Sequence, residues 1–244
     1  MQERIGLGTN RTGVKASPID AEELVSGLSL QEDEPMPEFG AADIRTSYAM
    51  EAEPVGSMPP PTDLKGTVGA IADSLGGKRL HILLDKLGER AAYERSGTRL
   101  YDAMLTKVGA LDQPLPEGMT LAAVQEIRDE EASHFALLGE AIEALGGDAT
   151  VQTPCADVTG VQGMGLMQAM NDPRTTLSQA LQTLLAAELI DVASWELLIS
   201  LSDQLGHETW SNRFATALEA ENRHLMNVRR WLEASLQSDV ALLA

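Results

Sequence analysis

Aromatic residues make up only 4% of this 244-residue chain. There is a single cysteine, Cys155, and no apolar run approaches the length of a membrane span. So few aromatics alongside frequent Ala, Leu, Glu and Met leave little material for strands and favour packed helices. One cysteine excludes an intramolecular disulfide framework and any four-thiolate metal centre. The first residues carry no apolar stretch that would serve as a signal peptide, so a reducing cytoplasm is the expected setting. Basic residues are also scarce: 18 Lys and Arg face 37 Asp and Glu, a formal charge of −19. That balance repels nucleic acid and anionic membrane surfaces and draws in metal cations. No nucleic-acid or membrane partner is expected.

Residues 1–61 lack sustained periodicity and are punctuated by Pro18, Pro35, Pro37, Pro54, Pro59, Pro60 and Pro61. They read as an extended acidic arm, either disordered or strapped over its own domain or a partner subunit. Within it, residues 20–25 are compatible with a short capped helix. Residues 62–244 form the helical domain. A short helix over residues 62–77 ends at paired glycines, and a first long helix runs from about 78 to 108. Its stripe is Leu80, Leu84, Leu87, Ala91, Glu94, Thr98, Tyr101 and Leu105. After a loop containing Pro114 and Pro116, Thr120 is the N-cap of a second helix that ends before Gly146 and Gly147. Glycines and Pro154 break the pattern over 146–172, leaving a long crossover with short helical turns between Val161 and Met170. The third long helix begins at Asn171 or Asp172, with Pro173 at its first position, and reaches Gly206. The last runs from Glu208 to about Ser238.

Histidine is rare too, with four in the chain. Two of them stand in the same arrangement, Glu131-Ala132-Ser133-His134 and Glu221-Asn222-Arg223-His224. A three-residue interval puts both side chains on one helical face. The other long helices each carry a glutamate inside their apolar stripe, Glu94 and Glu188. An acid on a core-facing stripe is costly unless it is paired, protonated or bound to metal. Glu94, Glu131, His134, Glu188, Glu221 and His224 are therefore the candidate metal ligands. Their order is single, pair, single, pair, and four glutamates balance two divalent cations in formal charge. Oxygen and imidazole donors in this number suit iron first and manganese second; a structural zinc site wants fewer. His81 and His207 lie off this phase, and Cys155 reads as an inert loop thiol.

The pattern resembles the ferritin-like di-iron carboxylate superfamily, which includes ferritins, bacterioferritins, rubrerythrins and oxygen-using hydroxylases. The resemblance covers residues 78–238. It implies a four-helix bundle with one long crossover between the second and third helices, two Fe ions bridged by carboxylates, and activation of dioxygen or peroxide. It also implies that Glu130, preceding a ligand glutamate, holds the outer nitrogen of His224. Ala220 occupies the equivalent position before Glu221, so Asp191 is the candidate partner for His134. Tyr101 is a candidate to hydrogen-bond near the site or to donate an electron, and Gly97 opens space beside Glu94. Three functions are compatible with this reading. The first is a ferroxidase-like oxidoreductase acting on Fe(II), in a small assembly such as a homodimer. The second is a hydroxylase or oxidase of a small organic substrate, with an enclosed pocket near Gly97, Leu184 and Asp191. The third is a structural or interaction protein stabilised by its metals.

Overall fold

The computed structural model describes residues 40–52, 80–111 and 114–241. The described residues form six helices and no strand: α1 (Ala41–Glu51), α2 (Leu80–Ala110), α3 (Leu121–Ala144), α4 (Pro154–Asn171), α5 (Leu177–Gln204) and α6 (Glu208–Ala241). The described residues are all-α, as the composition favours. None of these helices is long and apolar enough to cross a membrane. The helices expected over residues 20–25 and 62–77, and the arm boundary at residue 61, lie outside the described residues.

The chain divides into two units, Met1–Glu53 and Pro54–Ala244. In the first, α1 occupies part of the region read as an arm without periodicity. It has no buried face: Tyr48 and Met50 are exposed. Its support is local, with the backbone N–H of Gly40 donating to Asp43 Oδ2 at 3.0 Å across the first turn. A helix held by capping and alanine propensity leaves no apolar stripe to read.

In the second unit, two apolar clusters account for the interior, and both draw on α2, α3, α5 and α6. One contains Leu100, Met104 and Val108 of α2, Val124 and Ile127 of α3, Leu177, Leu181 and Leu184 of α5, and Val228 and Trp231 of α6. The other contains Leu83 and Leu87, then Leu138 and Ile142, then Trp195 and Leu198, then Phe214 and Ala217. The order in which each helix enters the clusters sets its direction. Helices α2 and α6 run one way, and α3 and α5 run the other. Helix α3 therefore ends at the opposite end from where α5 begins, and the link between them must travel the full length.

That link is α4, and here the structure corrects the sequence reading. Residues 154–171 form one continuous helix of 18 residues, about 27 Å at 1.5 Å per residue. Thr153 caps it by accepting from Ala156 N, and Pro154 occupies the first turn, where its missing donor costs nothing. The helix lies along α2, where Thr153 Oγ1 donates to Asp85 O and Asp85 Oδ1 accepts from Cys155 N. Gly88 admits this approach, since a Cβ there would sit 2.6 Å from Thr153. The cost of the internal glycines is offset by this docking.

The start of α5 also differs from expectation. Pro173 lies in the preceding turn, and the cap is Thr176, whose hydroxyl accepts from Gln179 N while the Gln179 side chain accepts from Thr176 N. Such a reciprocal box satisfies two orphan donors. At the far ends of α3 and α5, Gly146 and Gly206 take positive φ of 84° and 78°, so that Gly147 N and His207 N bond back to the carbonyls of Ile142 and Ser202. Replacing Thr176 with Ala removes one half of its box. The expected loss is about 1 kcal/mol of unfolding free energy, measured by urea denaturation followed by circular dichroism.

Candidate metal centre

Buried positions on α5 recur as Leu177, Leu181, Leu184, Glu188, Asp191, Trp195, Leu198 and Ser202. On α6 they include Phe214, Ala217, Glu221, His224, Val228, Trp231 and Ser235. Alternating steps of three and four keep one seam facing the interior. On α2 the same alternation gives Leu83, Leu87, Arg90, Glu94, Gly97, Tyr101, Met104 and Val108. The expected stripe is correct at Leu80, Leu87, Ala91, Glu94 and Tyr101, which are buried, and departs at Leu84, Thr98 and Leu105, which are only half-buried. The shift matters because the true seam contains a charged residue, Arg90.

All six candidate ligands meet. Glu94, Glu131, Glu188, Glu221 and His224 are each 1% exposed or less, and His134 is 7% exposed. Ligand atoms of Glu131, Glu188, Glu221 and His224 lie within 4.8 Å of one another, as do those of Glu94, His134 and Glu221. Both histidines turn Nδ1 inward. His224 Nδ1 stands 3.0 Å from Glu221 Oε2, 3.6 Å from Glu131 Oε1 and 3.9 Å from Glu188 Oε2. His134 Nδ1 stands 2.5 Å from Glu221 Oε1 and 3.6 Å from Glu94 Oε2. Glu221 thus offers one oxygen to each histidine and belongs to every group of converging ligand atoms.

Whether these residues suit a metal can be tested on their unpaired atoms. Glu94 Oε2, Glu131 Oε2, Glu188 Oε2, Glu221 Oε1 and His134 Nδ1 are all buried without a hydrogen-bond partner. The 2.5 Å approach of His134 Nδ1 to Glu221 Oε1 is close but not aligned as a hydrogen bond. Buried polar atoms are ordinarily paired. Five unpaired atoms on one cluster, all oxygen or imidazole nitrogen, fit a site that could hold metal.

The protonation of the metal-free cluster shows how the charges strain against one another. Burial, with Glu221, Glu94 and Glu188 nearby, pushes Glu131 well above the carboxylate range. Burial and Glu221 raise Glu188 to about 8. For Glu221 burial acts upward, but His134 and His224 outweigh it and hold the acid at about 2. Burial would lower both histidines; contacts with Glu221 reverse this and lift each to about 9.

Around the ligands, His224 Nε2 lies 2.6 Å from Glu130 Oε2, and Glu130 Oε1 accepts from Arg223 Nη2 at 2.9 Å. An acceptor on Nε2 keeps the proton there and leaves Nδ1 to the centre. Tyr101 donates its hydroxyl proton to Glu188 Oε1. The expected pairing of Asp191 with His134 is not made. Asp191 instead accepts from Arg90, whose Nη2 also donates to Glu94 Oε1. Arg90 is 2% exposed, and its guanidinium lies 4.8 Å from the ring centre of Tyr93 and 5.5 Å from that of Trp195. A buried acid is satisfied by the nearest permanent cation, and four residues before Glu94 on the same seam is where that cation stands. Its position on the seam was the available signal.

Gly97 is close-packed, and the side chain it makes room for is that of a candidate ligand, Glu131. A Cβ at Gly97 would fall 2.0 Å from Glu131 Oε2. The open space expected there is filled by that carboxylate. A cleft of about 390 Å³ lies elsewhere, lined by residues such as Ala91, Ala92, Arg95, Phe135 and Thr153. Tyr93 donates to Ala187 O at 3.0 Å, and Trp195 and Trp231 are core residues with no exposure. No family profile matches the chain, and neither a curated protein nor a solved structure matches it.

Two measurements bear on this geometry. A histidine raised from 6.5 to about 9, and an acid raised to about 8, stabilise the fold below their unfolded values and lose that contribution as pH climbs through the folded ones. Glu221 acts at the other end, losing its contribution only as pH falls toward about 2. The metal-free protein is therefore expected to melt at lower temperature near pH 9 than near pH 6, by scanning calorimetry at the two values. Metal uptake must expel protons from His134, His224, Glu131 and Glu188, so saturating divalent metal shifts the optimum to higher pH. Separately, Gly97→Ala drives a methyl group into Glu131. Metal affinity is expected to fall about tenfold or more, read by competition with a chromophoric chelator.

Proposed function

We propose that this chain is a ferritin-like di-iron carboxylate protein that activates dioxygen or peroxide, with a ferroxidase-like oxidoreductase activity. The observation that carries the reading is the convergence of two Glu-x-x-His pairs and two single glutamates, from four helices, with unpaired atoms directed at one another. The helix directions support it as well. Two helices up, two down and a full-length link between the second and third long helices is the connectivity of the bundle to which such centres belong.

Glu131, Glu188, Glu221 and His224 would hold one iron and Glu94, His134 and Glu221 the other. Bound there, a ferrous pair supplies two reducing equivalents and Lewis acidity to a small oxidant. The rest is the work of the protein. Glu130 holds the Nε2 proton of His224, so that Nδ1 faces inward as a neutral donor. Tyr101 holds a proton against Glu188 Oε1, fixing which oxygen of that acid turns to the centre. Leu100, Tyr101 and Leu184 on one side and Leu87, Leu138 and Trp195 on the other exclude water from the carboxylate layer. Exclusion strengthens each charge interaction within it. The reading includes a cytoplasmic setting and a homodimer.

The test is anaerobic loading with ferrous iron followed by oxygen, with metal content, oxygen uptake and optical spectra recorded together. Two irons per chain and oxygen uptake matched to iron oxidation are expected, and Glu188→Ala should abolish the uptake while leaving the helical circular dichroism intact. Fewer than two irons in fully loaded protein would overturn the centre. Two irons with no response to oxygen would assign the metals a purely structural part.

A further inference from the structure

The two halves of the centre do not have equal claims on their ligands. The position formed by Glu131, Glu188, Glu221 and His224 has four donors. It is also braced, because Glu130 holds His224 from behind and Tyr101 holds Glu188. The position formed by Glu94, His134 and Glu221 has three, with Glu131 also within ligand distance of Glu94 and Glu221. Among the described residues, no side chain braces His134 as Glu130 braces His224. Glu94 has already committed Oε1 to the Arg90 guanidinium, and Asp191, which lies within ligand distance of Glu94, Glu131 and Glu221, is held by the same group.

Arg90 is not a mobile surface cation that a metal would simply displace. It is buried, and the rings of Tyr93 and Trp195 flank its guanidinium. A guanidinium does not lose its charge in a protein. A metal entering beside Glu94 must therefore share that carboxylate with a fixed positive charge in a water-poor interior, where like charges repel far more strongly than in water.

We infer that Arg90 makes metal loading sequential: the Glu131, Glu188, Glu221 and His224 position fills first, and the Glu94, His134 and Glu221 position fills second and more weakly because Arg90 competes for Glu94. The inference rests on the two-metal reading above. Its consequence is that the chain carries one metal when metal is limiting and gains the paired centre only when metal is in excess. The vacancy of the second position at intermediate supply also permits two different metals to share one centre.

Titration of the metal-free full-length protein with Mn(II), followed by calorimetry and electron paramagnetic resonance, tests this without reference to activity. In the natural protein the first equivalent should give an isolated Mn(II) signal. The second should convert it to a spin-coupled one with a dissociation constant about tenfold or more above the first. Arg90→Met should tighten the second step by about tenfold or more and leave the first within about twofold, whereas Arg90→Lys, which keeps the charge, should preserve the gap. Asp191→Asn leaves the guanidinium to Glu94 alone and should weaken the second step. Because Arg90→Met strands Asp191 as a buried charge, the double variant Arg90→Met with Asp191→Asn provides the same test in a chain without that cost. Two indistinguishable steps in the natural protein would overturn the inference, as would a second step unmoved in both charge-removing variants. A single Mn(II) at saturation in the natural protein and in both charge-removing variants would instead overturn the two-metal reading.

Discussion

Five carboxylates, those of Glu94, Glu131, Glu188, Asp191 and Glu221, lie in one layer of the protein at 2% exposure or less, and the rest of the molecule is arranged around that constraint. Isolated carboxylates in such surroundings would cost many kcal/mol each if ionised. The layer exists because cations and protons are supplied to it from every side. His134 and His224 face it with Nδ1, Arg90 enters it from α2, and Tyr101 donates a proton at its edge. Above and below, the two apolar clusters seal it, since α2, α3, α5 and α6 each pass from one cluster through the polar layer into the other. The alternating three-and-four spacing lets a helix do this without turning its ligand away from the axis.

The bookkeeping of charge explains which acids are free for metal. Arg90 is shared between Asp191 and one oxygen of Glu94, so the remaining oxygens of the four glutamates are the ones open to a cation. Glu130 stands apart. Its pKa is lowered, as the hydrogen bond to His224 and the neighbouring Arg223 outweigh the upward push of burial, and it makes no direct contact with the inward nitrogens. It transmits an orientation and not a ligand charge. A chain with a formal charge of −19 also surrounds the layer with a field that favours cation entry.

How much of this could be read from the residues follows from which signals are local. The Glu-x-x-His pairs and the single glutamates were legible because three- and four-residue intervals fix a helical face whatever the tertiary context. Thr120 as an N-cap, and the glycines closing α3 and α5, are equally local. Arg90 was not legible, although it stands four residues before Glu94. A stripe built from Leu84, Thr98 and Leu105 is nearly as apolar as the true one through Leu83, Gly97 and Met104, and a charge is normally assigned to the solvent side. Helix α4 was hidden for a different reason. Gly160, Gly163 and Gly165 oppose it locally, and the docking of Thr153 and Cys155 on Asp85 that offsets them is long-range. At α5, Asn171 or Asp172 with Pro173 marked the start, and the reciprocal bonds of Thr176 with Gln179 place the cap later in the chain.

The deepest asymmetry appears when the two halves are set side by side. Glu94 and Glu188 correspond, as do Glu131 with Glu221 and His134 with His224. Three residues after the single glutamate, however, one half has Gly97 and the other Asp191. Gly97 surrenders its side-chain space to Glu131, while Asp191 projects a further acid that Arg90 must neutralise. The residue before the paired glutamate differs as well, Glu130 in one half and buried Ala220 in the other, so His224 is braced and His134 is not. The ligands alone describe a symmetric cage. Its neighbours divide it into a braced position and a contested one, and that division follows from Gly97, Arg90, Glu130 and Asp191 and not from the candidate ligands themselves.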